Sequence, residues 1–324
     1  MDIILNTFGT TLIRENDNFA ILHPDGKQRV PLSEVKSISI SRGAQITSDA
    51  AIMAIENEID VLFVDAKGSP LGRVWSVKYG SISNIRRNQL NFSFSANAIN
   101  WIKDVMKQKI NNQIALLVSV VPMEKYADVN FEANLNRLND YKKKIADVKG
   151  KVISDIAPSL RGWEGASAKI YFDVINQILP AEYQFEKRSQ HPAMDMFNAM
   201  LNYGYGMLYG KIEGALIRAG IDPYVGIFHR NDYNRPVLVY DVIEIYRVWV
   251  DYVVINLCLQ AALDEDCFSV QADGSYWLEA LGRRILIQSL NDYLSEHITI
   301  KSLTRSRQTH IELYAQQLAQ EFLK

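Results

Sequence analysis

The sequence predicts an α+β fold, with a small N-terminal, mainly-β domain followed by a larger all-α C-terminal domain. Three observations predict it. Short runs of β-branched and aromatic residues fill the first eighty positions. Near residue 97 the apolar period changes to 3.6 and stays there. Between the two lies a polar stretch, YGSISNIRRNQLNFSFS. The expected boundaries are a β-rich domain over 1–80, a linker over 81–96 and a helical domain over 97–324.

In the β part, DIILNTFG, TLIREN, FAILHP and VKSISIS read as strands bounded by Asn, Asp, Gly or Pro. HPDGK at 23–27 is a turn, because Pro24 fixes its φ and Gly26 accepts a positive one. SDAAIMAIENE at 48–58 is a helix, opened by Ser48 or Asp49 as N-cap. DVLFVDAKGSPLGRVWSV returns to strands around a Gly-Ser-Pro turn.

In the second part, NAINWIKDVMKQKINNQIALLVSV, NFEANLNRLNDYKKKIADV, WEGASAKIYFDVINQIL and DMFNAMLNYGYGMLYGKIEGALIRAG repeat apolar residues at i, i+3, i+4 and i+7. Gly220 and Pro223 end the last of these. One helix over 237–262 follows, then helices over 278–296 and near the C-terminus.

The chain has 324 residues, 48% hydrophobic and 22% charged, with a formal net charge of -2. Global basicity therefore does not draw it to nucleic acid or an anionic membrane, and any such binding rests on a local patch. Basic runs at 86–109, YKKK at 141–144 and KSLTRSR at 301–307 are candidates, each also readable as a solvated helix face. Two cysteines and no CxxC spacing point to a reducing compartment. MDIILNTFG lacks signal-peptide features, and no apolar run is long enough for a bilayer span. The expectation is a cytoplasmic protein without membrane association.

Chemistry concentrates in VLVYDVIEIYRVWVDYVVINLCL, residues 237–259, where helical spacing puts Asp241, Glu244, Arg247 and Asp251 on one face. One reading is a solvent-facing stripe in which Arg247 pairs Glu244 or Asp251. The other is a cation between carboxylates that otherwise repel, joined by His229 and by Glu164 from LRGWEGASAKIYF. Gly162 reads as a helix start, and Gly165 as a close approach of backbone or ligand. Oxygen ligands with one imidazole suit Mg²⁺ or Mn²⁺ better than Zn²⁺.

At these residues the chain resembles the CRISPR-associated adaptation integrases, nuclease-like proteins that insert new spacers into CRISPR arrays. The resemblance lies in LRGWEGASAKIYF, NAMLNYGYGMLYGKIEGALIRAGIDPYVGIFH and RPVLVYDVIEIYRVWVD. The family forms are EG-A-A-x-YF, N-x-x-LNYGY…GLDP-x-x-GFLH and D-L-M-E-x-F-R-x-x-x-D. The chain departs at GIFH, at DVIEIYRV, and at Val248, where proline is common. QITSDAAIMAIENEIDVLFVDAKGSPLGRV is similar to the family's first domain.

The resemblance implies Mg²⁺ or Mn²⁺ held by Glu164, His229 and Glu244, with Asp241 the neighbouring acid of the site. It implies Arg247 as a phosphate contact and, more loosely, Tyr209 near the DNA. The implied reaction is attack of a DNA 3′-hydroxyl on a phosphodiester of the repeat. The implied assembly is a homodimer through the β domains, two dimers flanking a dimer of a small ferredoxin-like partner on double-stranded DNA. Two alternatives stay open: a metal-dependent nuclease on branched or duplex DNA, and a non-catalytic DNA-binding scaffold.

Overall fold

A computed structural model describes every residue except 25, 36, 58, 66–69, 75–79, 191 and 230–234. The Gly-Ser-Pro turn lies largely outside the described residues, as does Asp25 of HPDGK.

The first part holds β1 (Asp2–Leu5), β2 (Thr11–Glu15), β3 (Asn18–His23), β4 (Gly26–Pro31), β5 (Ser37–Ser41) and β6 (Gln45–Ile46). Helix α1 (Ser48–Glu56) precedes β7 (Asp60–Val64) and β8 (Pro70–Arg73). Two four-stranded sheets result, ordered β1-β5-β7-β8 and β4-β3-β2-β6. In the first, β1, β5 and β7 run parallel and β8 antiparallel; in the second, β2, β3 and β4 form an antiparallel meander. Leu12, Phe19, Ile38, Ile40, Met53 and Val61 form the shared core. Alternation in β5, with Ile38 and Ile40 inward between serines, is the period-2 pattern expected of a half-buried strand.

Three local readings change. Strand β4, GKQRVP, is polar except at Val30 and the closing proline, yet it pairs along its whole length with β3. The N-cap of α1 is Thr47, whose hydroxyl accepts from the Ala50 N–H, one residue before the expected Ser48. The expected linker is mostly helix: α2 (Gly80–Ser93) buries Ile82, Ile85 and Gln89.

The second part continues with α3 (Ala96–Val120), α4 (Phe131–Asp147), α5 (Ile153–Ile178), α6 (Met196–Arg218), α7 (Val237–Ile243) and α8 (Arg247–Leu259). Hairpin β9 (Phe268–Val270) and β10 (Tyr276–Leu278) leads to α9 (Ala280–Ser295). Hairpin β11 (His297–Ile300) and β12 (Leu303–Ser306) leads to α10 (Arg307–Leu323). The helical part thus carries two small hairpins, and the basic run at 301–307 lies mainly on the second rather than on a helix face. One continuous core joins these helices, with Ile102, Met106, Tyr171, Phe197, Ile212 and Val254 fully or almost fully buried.

Helix α6 ends as expected: Gly220 takes φ +80°, and the N–H groups of Gly220 and Ile221 bond back to Ile217 and Leu216. The expected single helix over 237–262 is broken at Glu244–Tyr246 into α7 and α8. Asn112 of α3 donates to the Ile245 carbonyl at 2.7 Å and satisfies a group in the break. Among the described residues, no helix is long and apolar enough to cross a membrane.

Candidate active site

The polar stripe faces inward. Asp241, Glu244 and Asp251 are 0%, 4% and 1% exposed, which removes the solvent-stripe reading. Each carboxylate must then find its own partners, and each does.

Asp241 is committed to the GIFH loop. Its Oδ2 accepts the N–H groups of Ile227 and Phe228, both at 2.9 Å. Its Oδ1 lies 3.1 Å from the His229 backbone nitrogen and 2.7 Å from His229 Nδ1. Asp241 thereby fixes the loop and the imidazole together. Gln89 of α2 holds the start of the same loop, donating to the Asp222 and Val225 carbonyls and accepting from the Asp222 N–H. Burial works against a charged imidazole, but the hydrogen bond and charge of Asp241, with Glu164 and Glu244, outweigh it and raise the His229 pKa.

Glu244 sits at the helix break beside two cations. Arg247 Nε donates to its Oε1 at 2.8 Å, and Lys109 Nζ stands 2.5 Å from its Oε2. Burial alone pushes the carboxyl up, but Arg247 and Lys109 reverse this and hold it at about 2. Lys109, from α3, also donates to Glu164 Oε1 of α5 at 2.7 Å. Two glutamates from separate helices therefore converge on one ammonium.

A second layer supports Arg247. Its guanidinium lies over the Tyr205 ring, 4.7 Å from the centroid. The Tyr205 and Tyr171 hydroxyls donate to Asp251 at 2.5 and 2.7 Å. Burial raises the Asp251 carboxyl to about 6 against the pull of those hydroxyls. The group opens on a cleft of about 540 Å³ whose wall includes Glu164, Glu244, Arg247, Lys169, Lys187 and Arg188. Gly165 lines this cleft, and no protein atom outside its own helix would meet a Cβ there within 4 Å. It marks open space, not a neighbouring backbone. Gly162 lies inside α5, which begins at Ile153.

Tyr209 does not line this cleft but reaches the His229 side of the site through Tyr240, whose ring lies 6.0 Å from the imidazole. Its hydroxyl donates to the Pro236 carbonyl at 3.0 Å and its ring centroid lies 5.2 Å from that of Tyr240.

Among the described residues, no three His, Cys, Asp or Glu side chains stand close enough together to hold one metal ion. Lys109 fills the gap between Glu164 and Glu244, and His229 is drawn onto Asp241. The donor set nevertheless fits a hard divalent ion: two carboxylates from separate helices already face a common cation, and the buried Glu244 Oε2 has that ammonium as its partner.

Lys109 escaped the sequence reading, which counted it in a basic run. Its signal was phase, since Ile102, Met106, Ile110 and Gln113 place it on the buried side of α3.

Comparison with known proteins gives a consistent set. The family model "CRISPR associated protein Cas1" matches residues 3–292. A CRISPR-associated endonuclease Cas1 of Archaeoglobus fulgidus is 30% identical over 331 aligned positions, covering 97% of this chain and 94% of that protein. A partial Cas6-RT-Cas1–Cas2 complex contains a chain of similar fold, with TM-score 0.76, 23% identity and coverage of 99% and 95%. A casposase bound to integration product also shares the fold, with TM-score 0.73, 22% identity and coverage of 99% and 95%.

Proposed function

Because the chain belongs to the CRISPR-associated protein Cas1 family, we propose that it is the metal-dependent DNA integrase of CRISPR spacer acquisition. In this reading a 3′-hydroxyl of spacer DNA attacks a phosphodiester of the repeat, forming one ester as another breaks, so no external energy source is needed. The observation that carries it is the convergence of Glu164 and Glu244 on one cationic centre at the wall of a cleft whose charged lining mixes Lys and Arg with Asp and Glu.

Glu164, Glu244 and His229 would hold Mg²⁺ or Mn²⁺, supplying Lewis-acid polarisation of the scissile phosphate and compensation of charge developing there. The protein's own groups do the rest. Asp241, an acceptor, takes the hydrogen bond of Nδ1 and leaves Nε2 of the neutral imidazole as the lone-pair atom, for a ligand bond or a proton. Arg247 keeps Glu244 ionised and adds a positive charge to the cleft wall where a phosphate would lie. Lys169, Lys187 and Arg188 lie along the same cleft beside Asp173 and Glu186, and each phosphate contact they make would add to the salt dependence of DNA binding.

We assign it double-stranded DNA as substrate, a homodimeric state through the β domain, and a small ferredoxin-like partner in a heterohexamer in the cytoplasm. The Cas1–Cas2 complex among the related folds supports the partner.

Strand transfer tests the reading. Protein and partner meet a short duplex with free 3′ ends and a supercoiled CRISPR plasmid, with Mn²⁺ or Mg²⁺. Joined product that requires metal and is lost in both Glu244→Ala and His229→Ala supports it. Nicking without joining favours the nuclease, and joining that survives both substitutions sinks the assigned site.

A further inference from the structure

The proposed reaction gives Glu164 and Glu244 a divalent ion, yet the chain already supplies their cation. Lys109 Nζ lies 2.7 Å from Glu164 Oε1 and 2.5 Å from Glu244 Oε2, with side-chain exposures of 8%, 20% and 5% for Lys109, Glu164 and Glu244. An ordinary surface lysine has no such placement. This one projects from the apolar side of α3, among Val105, Met106, Ile110 and Gln113.

We propose that Lys109 is a resident counter-cation that the catalytic metal must displace, so that metal affinity is set by competition with the protein's own ammonium. The inference rests on the reading that Glu164 and Glu244 bind the metal.

Geometry makes the competition unavoidable. An ion bonded to either oxygen at about 2.1 Å lies no more than about 5 Å from Nζ, by addition of the two distances. Two cations that close in a poorly hydrated pocket repel strongly. Nζ has somewhere to go, because Lys109 itself lines the cleft and ends a flexible four-carbon stem.

The two oxygens of Glu244 also divide the work. Arg247 holds Oε1 through Nε, an attachment that need not change when metal arrives. Oε2 is buried, and the partner it faces is the Lys109 ammonium at 2.5 Å. It is the oxygen most easily transferred from ammonium to metal. Before metal arrives, Lys109 keeps the two glutamates together, which mutual repulsion would otherwise drive apart.

A purely structural lysine predicts the opposite result from a competitor. If Lys109 only holds the ligands in position, its removal weakens metal binding or leaves it unchanged. If it competes, its removal strengthens binding.

The test is Mn²⁺ titration of the DNA-free protein, followed by electron paramagnetic resonance of free Mn²⁺ and by calorimetry. The variants are Lys109→Met, Lys109→Arg and Glu244→Gln. The expected result is Mn²⁺ bound about tenfold or more tightly by Lys109→Met, with no gain in Lys109→Arg, which keeps the charge. Lys109→Met should also melt at lower temperature without metal and regain more of its Tm on adding Mn²⁺ than the unsubstituted protein does. If Lys109→Met does not fold, Lys109→Gln carries the same comparison. Unchanged or weaker binding in the neutral variants, with binding lost in Glu244→Gln, overturns the competition and leaves the metal site standing. Binding that is indifferent to Glu244→Gln, or absent throughout, overturns both.

Discussion

Asp241 shows how one buried side chain can be structural and mechanistic together. Its two oxygens meet three backbone N–H groups and His229 Nδ1, all from the loop 227–229. Asp241→Ala leaves those donors without a buried acceptor and should cost about 3–5 kcal/mol, read as a lower urea midpoint. Asp241→Asn separates the two roles. The amide oxygen can still accept from Ile227 and Phe228, but the amide nitrogen faces His229 and can only donate. The imidazole must then present Nδ1 as an acceptor and carry its proton on Nε2, the atom that the proposed function gives a ligand bond or a proton. We expect Asp241→Asn to fold with a smaller loss of stability than Asp241→Ala, while strand transfer falls about 10- to 100-fold. An Asn variant with unchanged strand transfer would show that the tautomer is not controlled from this position.

At the scale of elements, the site depends on how closely α8 crosses α6. A Cβ built on Gly204 of α6 would sit 2.5 Å from Val250 Cγ1 of α8. Gly204→Ala therefore forces the helices apart and should cost about 1–3 kcal/mol, despite the better helix propensity of alanine. Because α8 carries Arg247 and Asp251, the same substitution should weaken strand transfer; thermal melting alongside the transfer assay checks both. This level was partly legible in the sequence. The long helices α3 to α6 follow a strong 3.6 period, and the ends of α6 carry their own chemistry in Asp195 and Gly220. Strand β4 and helix α2 were not legible, because each is largely polar and is ordered by what it packs against. Nor was the break between α7 and α8, where no proline or glycine marks the chain and the Asn112 amide comes from a distant helix. Glu164, His229, Asp241 and Glu244 stood out as polar residues in apolar settings. Their pairing with Lys109 did not, since nothing local in VMKQKINNQ tells which lysine points inward except its phase with the apolar positions.

The whole molecule is held together across the contact between the β part and α6, and that contact contains an acid in an unfavourable setting. Glu213 of α6 is 5% exposed, and burial, reinforced by the nearby Asp65 just beyond β7, raises its carboxyl from 4.5 to about 7. Arg73 of β8 donates to the Ile217 carbonyl at 2.6 Å, so α6 and the first sheet are directly bonded beside it. A folded-state pKa above the unfolded value means that the native state binds the proton more tightly. The resulting stability is complete below about pH 4.5 and is lost as pH rises through about 7. Between pH 5 and pH 8 the loss from this group alone should be about 2 kcal/mol. Glu213→Gln removes the titrating proton while keeping the side chain's shape. The measurement is urea unfolding of both proteins at the two pH values. The difference between them should favour the Gln variant by about 2 kcal/mol more at pH 8 than at pH 5, other groups cancelling in the comparison. An equal difference at both values would mean that Glu213 titrates as an exposed acid does, and that the contact between α6 and the sheet admits water around it.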